Sequence, residues 1–300
     1  MKVIEVSNLS KKYQNEFAVN DLSFSIDEKS VVGLIGPNGA GKTTTMKLLM
    51  GLIQKNSGKI KILGSEINYG EIPAGVRYLQ DVPGFYDYMT ANEYLKFILE
   101  INNYDGDKVE KINDTLKLAG LYENRDKRIG KFSRGMRQRI GIAGSIISSP
   151  KILILDEPVS AMDPIGRKEI FDQINKLKEK MTIIFSTHVL DDVERVCDKV
   201  IIINNGLKIK EGSIKEIKKG YLKNILEIVF FDEKGFDVFV KNFKTDNISF
   251  VKEELKVYFN EVNSVSKKIF SFLVDNNIEI ESYIIKKPTL EEIFVEEVLK

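Results

Sequence analysis

The chain has 300 residues, 43% hydrophobic and 30% charged, a balance that suits a globular protein of one large or two unequal domains. Lys and Arg number 45 against 44 Asp and Glu, so a formal net charge of +1 supplies no general attraction for nucleic acid, although local clusters can still bind anions. The single cysteine, Cys197, cannot close an intrachain disulfide and fits a reducing compartment; in E-R-V-C-D-K-V it reads as small core filler.

The first residues, M-K-V-I-E-V, read as a strand and not as a leader. Strands are expected at Val3–Val6, Leu22–Ile26 and Val31–Ile35, the last apolar throughout, as in a strand covered on both faces. Gly36 breaks that strand, and a helix pattern runs from Lys42 to Met50, with Gly51 at its C-terminal end. From Tyr86 to Gly130 the pattern is mainly helical, with Thr90 and Glu93 spaced as a capping box. Ser133 caps a further helix, stopped by Pro150. A buried strand, Ile152–Leu155, precedes helix 166–180, strand 182–186, helix 189–196 and strand 199–203. This alternation predicts an α/β domain with a largely parallel sheet. No run approaches the roughly 18 apolar residues needed to span a membrane, so any membrane role would come through a partner.

The Lys-rich stretch 212–223 reads as a solvated linker, with anionic lipid contact as the lesser reading. Beyond it the pattern is strand 225–231, helix 235–243, strands 247–252 and 254–259, helix 262–275 and strand 278–285. That order, βαββαβ, predicts a small α+β ferredoxin-like unit. A last amphipathic helix after Pro288 carries Leu290, Ile293, Phe294 and Val298 on one face.

G-P-N-G-A-G-K-T, from Gly36 to Thr43, lies between the buried strand and the helix, the context required of a phosphate loop. Gly36, Pro37, Asn38, Gly39, Ala40 and Gly41 curl the backbone so that N–H groups, joined by those of Lys42, Thr43 and Thr44, face phosphate at a helix N-terminus. Lys42 is placed for the β- and γ-phosphates of ATP, and Thr43 offers a hydroxyl to Mg²⁺. I-L-I-L-D-E-P delivers Asp156 and Glu157 at the carboxyl end of a strand, where open α/β sheets bind ligands. Asp156 would hold Mg²⁺ through water, and Glu157 would act as general base. The only histidine, His188, follows another strand and reads as a γ-phosphate or water contact, with a hydrogen-bonded structural histidine as the bland alternative.

F-S-R-G-M-R-Q-R, Phe132 to Arg139, resembles the signature motif of the ABC ATPases, usually L-S-G-G-Q-x-Q-R. Tyr13 matches that family's adenine-stacking aromatic, S-A-M-D at 160–163 its D-loop with Asp163, and T-H at 187–188 its switch histidine. The resemblance covers residues 1–218. It implies a phosphate-loop ABC ATPase core with an inserted helical subdomain at about 84–150, followed by an accessory domain at 219–300. It further implies that Ser133, Arg134, Gly135 and Met136 of one chain close the ATP site of a second chain, homodimer or paralogue. Arg134 and Met136 replace the usual Gly and Gln. In Y-L-Q-D-V-P-G, Asp81 stands where the family's metal-contacting Gln belongs, with Gln80 one place earlier.

A finer likeness is to the ATPase subunits of bacterial exporters of the antibiotic-resistance and gliding type, which carry segments like P-G-F-Y-D-Y-M-T (83–90) and P-T-L-E-E-I-F (288–294). The expectation is therefore an ATP-hydrolysing, cytoplasmic subunit held at the inner membrane face by a separate permease. The alternative is a soluble ABC ATPase acting on ribosomes or nucleic acid, against which stand the single cassette, the near-neutral charge and the lack of sustained heptads.

Overall fold

The computed structural model describes residues 1–160, 162–219, 225–243, 248–259, 266–286 and 289–298. The chain divides into two compact units, Met1–Ile214 and Lys215–Lys300.

The first unit opens with β1 (Lys2–Tyr13) and β2 (Glu16–Asp27), then β3 (Val31–Ile35), α1 (Lys42–Leu49), β4 (Ser57–Ile62), β5 (Ser65–Glu66) and β6 (Val76–Leu79). The helices α2 (Ala91–Ile101), α3 (Lys108–Leu118) and α4 (Arg134–Ile146) follow. After them come β7 (Ile152–Leu155), α5 (Pro164–Leu177), β8 (Thr182–Thr187), α6 (Leu190–Val196), β9 (Lys199–Asn204) and β10 (Leu207–Ser213). The main sheet has the order β10-β9-β3-β8-β7-β6, parallel except for β10. All five residues of β3 and all four of β7 are buried, as strands covered on both faces must be. A second, antiparallel sheet, β2-β1-β4-β5, buries Ile4, Leu9 and Leu22 in one core with Leu34, Met46 and Ile154.

The three helices between β6 and β7 form their own core around Leu95, Leu99, Leu116 and Ile140. The expected capping box is present: Glu93 N donates to Thr90 Oγ1 at 3.1 Å, and Thr90 N to Glu93 Oε2 at 2.8 Å. The helix that Ser133 caps ends at Ile146, three residues before the Ser149 that precedes Pro150.

Regular structure occupies the first part of the segment read as a linker: β10 runs to Ser213, and α7 (Ile214–Lys219) follows with Ile217 buried. Its lysines mark the solvent side of a strand end and short helix, a pattern that composition alone does not separate from a loop; residues 220–224 lie outside the described residues.

The second unit contains β11 (Ile225–Phe230), α8 (Glu233–Asn242), β12 (Ile248–Val251), β13 (Lys256–Phe259), α9 (Ser266–Asp275), β14 (Ile280–Lys286) and α10 (Leu290–Val298). Its antiparallel sheet, in the order β12-β13-β11-β14, has the strand arrangement expected of a ferredoxin-like βαββαβ unit. Leu226, Ile228 and Phe230 alternate onto the face that packs against Phe236 and Phe239 of α8 and Ile269 and Leu273 of α9. Leu290 and Ile293 of the last helix are buried as expected; the side chain of Val298 lies outside the described residues. Among the described residues no helix is long and apolar enough to cross a membrane.

Candidate functional site

Strand pairing brings the expected site together. Ile35 of β3 pairs with Thr187 of β8, and Leu155 of β7 pairs with Phe185 of β8. Because the three strands are parallel neighbours, the loops leaving them emerge at one edge. They carry the glycine loop, the Asp156–Glu157 pair and His188.

The glycine loop surrounds a cavity of about 420 Å³, lined by Asn38 to Thr44 on one side and by Asp81, Glu157, Ser160 and His188 on the other. Its glycines are dictated by space. A Cβ on Gly36 would stand 2.3 Å from the Ile203 carbonyl oxygen, and one on Gly41, at φ +101°, 2.2 Å from that of Ala18. No side chain caps α1, and no acidic residue lies in its first turn. The N–H groups that a helix start leaves without internal acceptors therefore face the cavity uncompensated, which suits an anion.

Lys42 Nζ donates to the carbonyls of Gly36 at 2.8 Å and Pro37 at 3.2 Å, and lies 3.3 Å from Glu157 Oε1. The other carboxylate oxygen of Glu157 is 3.0 Å from His188 Nδ1. Lys42, Glu157 and His188 thus form one line across the cavity. Glu157 adopts φ +47°, rare for a side chain of its size, and its N–H is held by Ser186 Oγ at 2.8 Å. Ser186 Oγ in turn donates to Asp156 Oδ1 at 2.6 Å, and the Tyr78 hydroxyl donates to Asp156 Oδ2 at 3.2 Å. Burial and the Asp156 charge push the Tyr78 phenol upward, keeping it a proton donor. Asp156 lies buried behind the cavity, outside its lining.

Tyr13, Gln80 and Asp163 stand outside the lining of the cavity. Tyr13 is exposed at the end of β1 with Lys11 Nζ 4.9 Å over its ring, and Ala18 is the residue of that hairpin which reaches the cavity. Gln80 turns away, donating to the Val82 carbonyl at 2.8 Å, whereas Asp81 lines the cavity. Both residues lie past the end of β6, where the Gln80 amide is satisfied locally by the Val82 carbonyl. Asp163 caps α5 through the N–H of Gly166 at 2.8 Å and does not line the cavity.

Ser133 caps α4 by accepting from Met136 N at 3.2 Å. Ser133, Arg134, Gly135 and Met136 all lie outside the lining of their own chain's cavity. Cys197 fills space against β3, its Sγ 3.0 Å from where Gly33 would carry a Cβ, and burial raises its thiol well above the usual range.

Ala18, Tyr78, Ser160 and Ser186 were not foreseen. Ser186 reads as a strand residue and Ala18 carries no polar signal, whereas Tyr78 and Ser160 stand in the quoted motifs Y-L-Q-D-V-P-G and S-A-M-D without a role of their own.

A glycine loop at an uncapped helix start, opposed by a carboxylate at the end of the neighbouring strands, defines a phosphate-loop nucleotide-binding protein. Residues 19–160 match the family model described as ABC transporter, and residues 212–298 match that of the ATP-binding protein DrrA1-3-like C-terminal domain. The uncharacterized ABC transporter ATP-binding protein YxlF of Bacillus subtilis is 44% identical over 75% of this chain and 76% of its own. The bacitracin transport ATP-binding protein BcrA of Bacillus licheniformis is 34% identical over 98% of this chain and 96% of its own. A solved ATP-binding subunit of an ABC transporter superposes with TM-score 0.66 at 29% identity, covering 73% of this chain and 93% of that one. This chain belongs to the ABC transporter ATP-binding family. It is an ATPase, and its site takes ATP.

Proposed function

We propose that the chain is the energy-coupling subunit of an exporter, working as a head-to-tail dimer at the cytoplasmic face of a separate membrane permease. The observation that carries this reading is the division of the motifs: Lys42, Glu157 and His188 line the cavity, whereas the signature residues Ser133 to Met136 lie outside it. A second chain would have to present its signature to complete the site. The full-length similarity to a bacitracin transport ATP-binding protein supports the exporter reading.

Within the site, the loop N–H groups and Lys42 hold the phosphates, and Glu157 takes a proton from the water that attacks the γ-phosphorus. His188 holds the Glu157 carboxylate in place through Nδ1. The site also fits Mg²⁺: Thr43 and Asp81 offer oxygens in the cavity, and Asp156 stands behind it as a buried carboxylate. When bound, the ion would neutralise charge on the phosphates.

Glu157→Gln tests the whole reading. It should bind ATP, stop turnover and elute as a dimer from a sizing column with ATP and Mg²⁺. A monomer that still hydrolysed ATP would remove both the assigned base and the dimer. Co-purification of a membrane protein from a detergent extract supports the permease; ribosomes or DNA in its place would refute it.

A further inference from the structure

Ser160 lies in the turn between Glu157 and α5, where its own N–H bonds the Glu157 carbonyl at 3.1 Å. Its hydroxyl donates to Asp81 Oδ1. The same oxygen lies 3.5 Å from Arg134 Nη2, on the first residue of α4. A guanidinium only donates and a carboxylate only accepts. A hydroxyl, with one proton and two lone pairs, can serve both at once. Among the described residues no other hydrogen bond reaches the Asp81 side chain. Gln80, its chain neighbour, is turned onto the Val82 carbonyl. The direction of the Asp81 carboxylate in the cavity therefore depends on Ser160.

We propose that Ser160 is a positioning residue that holds Asp81 for the divalent cation accompanying the nucleotide, and that Arg134 orients the same hydroxyl. One oxygen then links the start of the signature helix to the cation position of its own chain. Any movement of Arg134 toward a second chain's phosphate loosens Ser160 and, through it, Asp81. The inference rests on Asp81 as a cation ligand, the reading given above.

The experiment uses the full-length chain and two titrations: a fluorescent ATP analogue in EDTA, and Mn²⁺ followed by electron paramagnetic resonance at saturating nucleotide. Ser160→Ala should weaken Mn²⁺ binding about tenfold, the scale of one charge-assisted hydrogen bond. Its metal-free nucleotide affinity should stay within about twofold, since the loop and Lys42 are untouched, and this retained binding shows that the variant is folded. Ser160→Thr, which keeps the hydroxyl, should restore Mn²⁺ affinity. Arg134→Ala should weaken Mn²⁺ less than Ser160→Ala and add nothing to it in the double variant. Unchanged Mn²⁺ affinity in Ser160→Ala, beside a loss in Asp81→Ala, would overturn the positioning role alone. Unchanged affinity in Asp81→Ala would overturn the reading of Asp81 and this inference with it. Failure of Ser160→Thr to recover would mean that packing, not the hydroxyl, matters.

Discussion

Glu157 Oε2 and His188 Nδ1 lie 3.0 Å apart, and the second oxygen of the same carboxylate is 3.3 Å from Lys42 Nζ. Glu157 is thus held from both ends, on a backbone turn at φ +47° that a side chain rarely occupies unaided. Removing the imidazole frees one end. A hydrogen bond to a charged group contributes about 1.5–3 kcal/mol, so His188→Ala should lower kcat about 10–100-fold. ATP affinity should change only slightly, because the phosphate loop does not rest on His188. Steady-state hydrolysis and a nucleotide titration separate the two effects. Unaltered kcat would show that Glu157 is oriented without His188.

The phosphate loop makes a sharper demand at Gly41. The φ of +101° is outside the range of ordinary side chains, and a Cβ would meet the Ala18 carbonyl oxygen at 2.2 Å. Gly41→Ala should therefore displace the loop from the β1–β2 hairpin and weaken ATP binding by about tenfold or more, since a strained backbone position costs about 1–3 kcal/mol. The fold should survive, because the core around Leu34, Met46 and Ile154 is not touched. Nucleotide titration with a parallel thermal melt would show it; full ATP affinity would mean that the loop has room the structure does not indicate.

How far the sequence revealed this site depended on what kind of signal each residue carried. Lys42 and Glu157 were legible because local chemistry marks them: a glycine loop between strand and helix, and acids ending an apolar run. His188 joined them only through strand order, and the β3-β8-β7 adjacency is a non-local fact that the pattern of apolar runs merely suggests. The second unit was readable because alternation along β11 and the apolar spacing of its helices are local. The short strands β4 to β6 were not foreseen, since V-R-Y-L and S-G-K-I-K-I are brief and mix polar with apolar residues. Tyr13 was placed by motif position alone, and it stands exposed at the end of a twelve-residue, bulged strand.

Asp192 on α6 makes stability depend on pH. Its side chain is 5% exposed, Arg167 Nη1 is 3.9 Å from Oδ2, and among the described residues that oxygen accepts no hydrogen bond. Burial raises its carboxyl above the ordinary range, assisted by Asp191 and only partly offset by Arg167, Arg195 and His188. The folded state therefore holds this proton more tightly than the unfolded chain. The advantage is complete below the unfolded value, near about 4, and is lost as pH rises through the raised folded value. Asp192→Asn removes the buried charge. It should raise Tm at pH 7, by about 2–4 °C per kcal/mol recovered, and the gain should shrink toward zero near pH 4. A Tm difference that stayed constant across that range would show that the charge of Asp192 is not what burial penalises.

Phe239 is the centre of the second unit, fully buried, stacked on Phe243 at 4.6 Å and flanked by Phe230 at 5.0 Å. Phe239→Ala should cost about 3–5 kcal/mol. A unit of this size has little stability to spare, so residues 215–300 should melt or be cleaved by protease well before the first unit. ATP affinity of the monomer should be unchanged, because the cavity is built wholly from residues 18–188. In a Glu157→Gln background the ATP-bound dimer should be weakened if the second unit supports dimerisation. A sizing column run with ATP would read this directly. A dimer of undiminished affinity, with the second unit shown to be unfolded, would assign that unit to something other than dimer support.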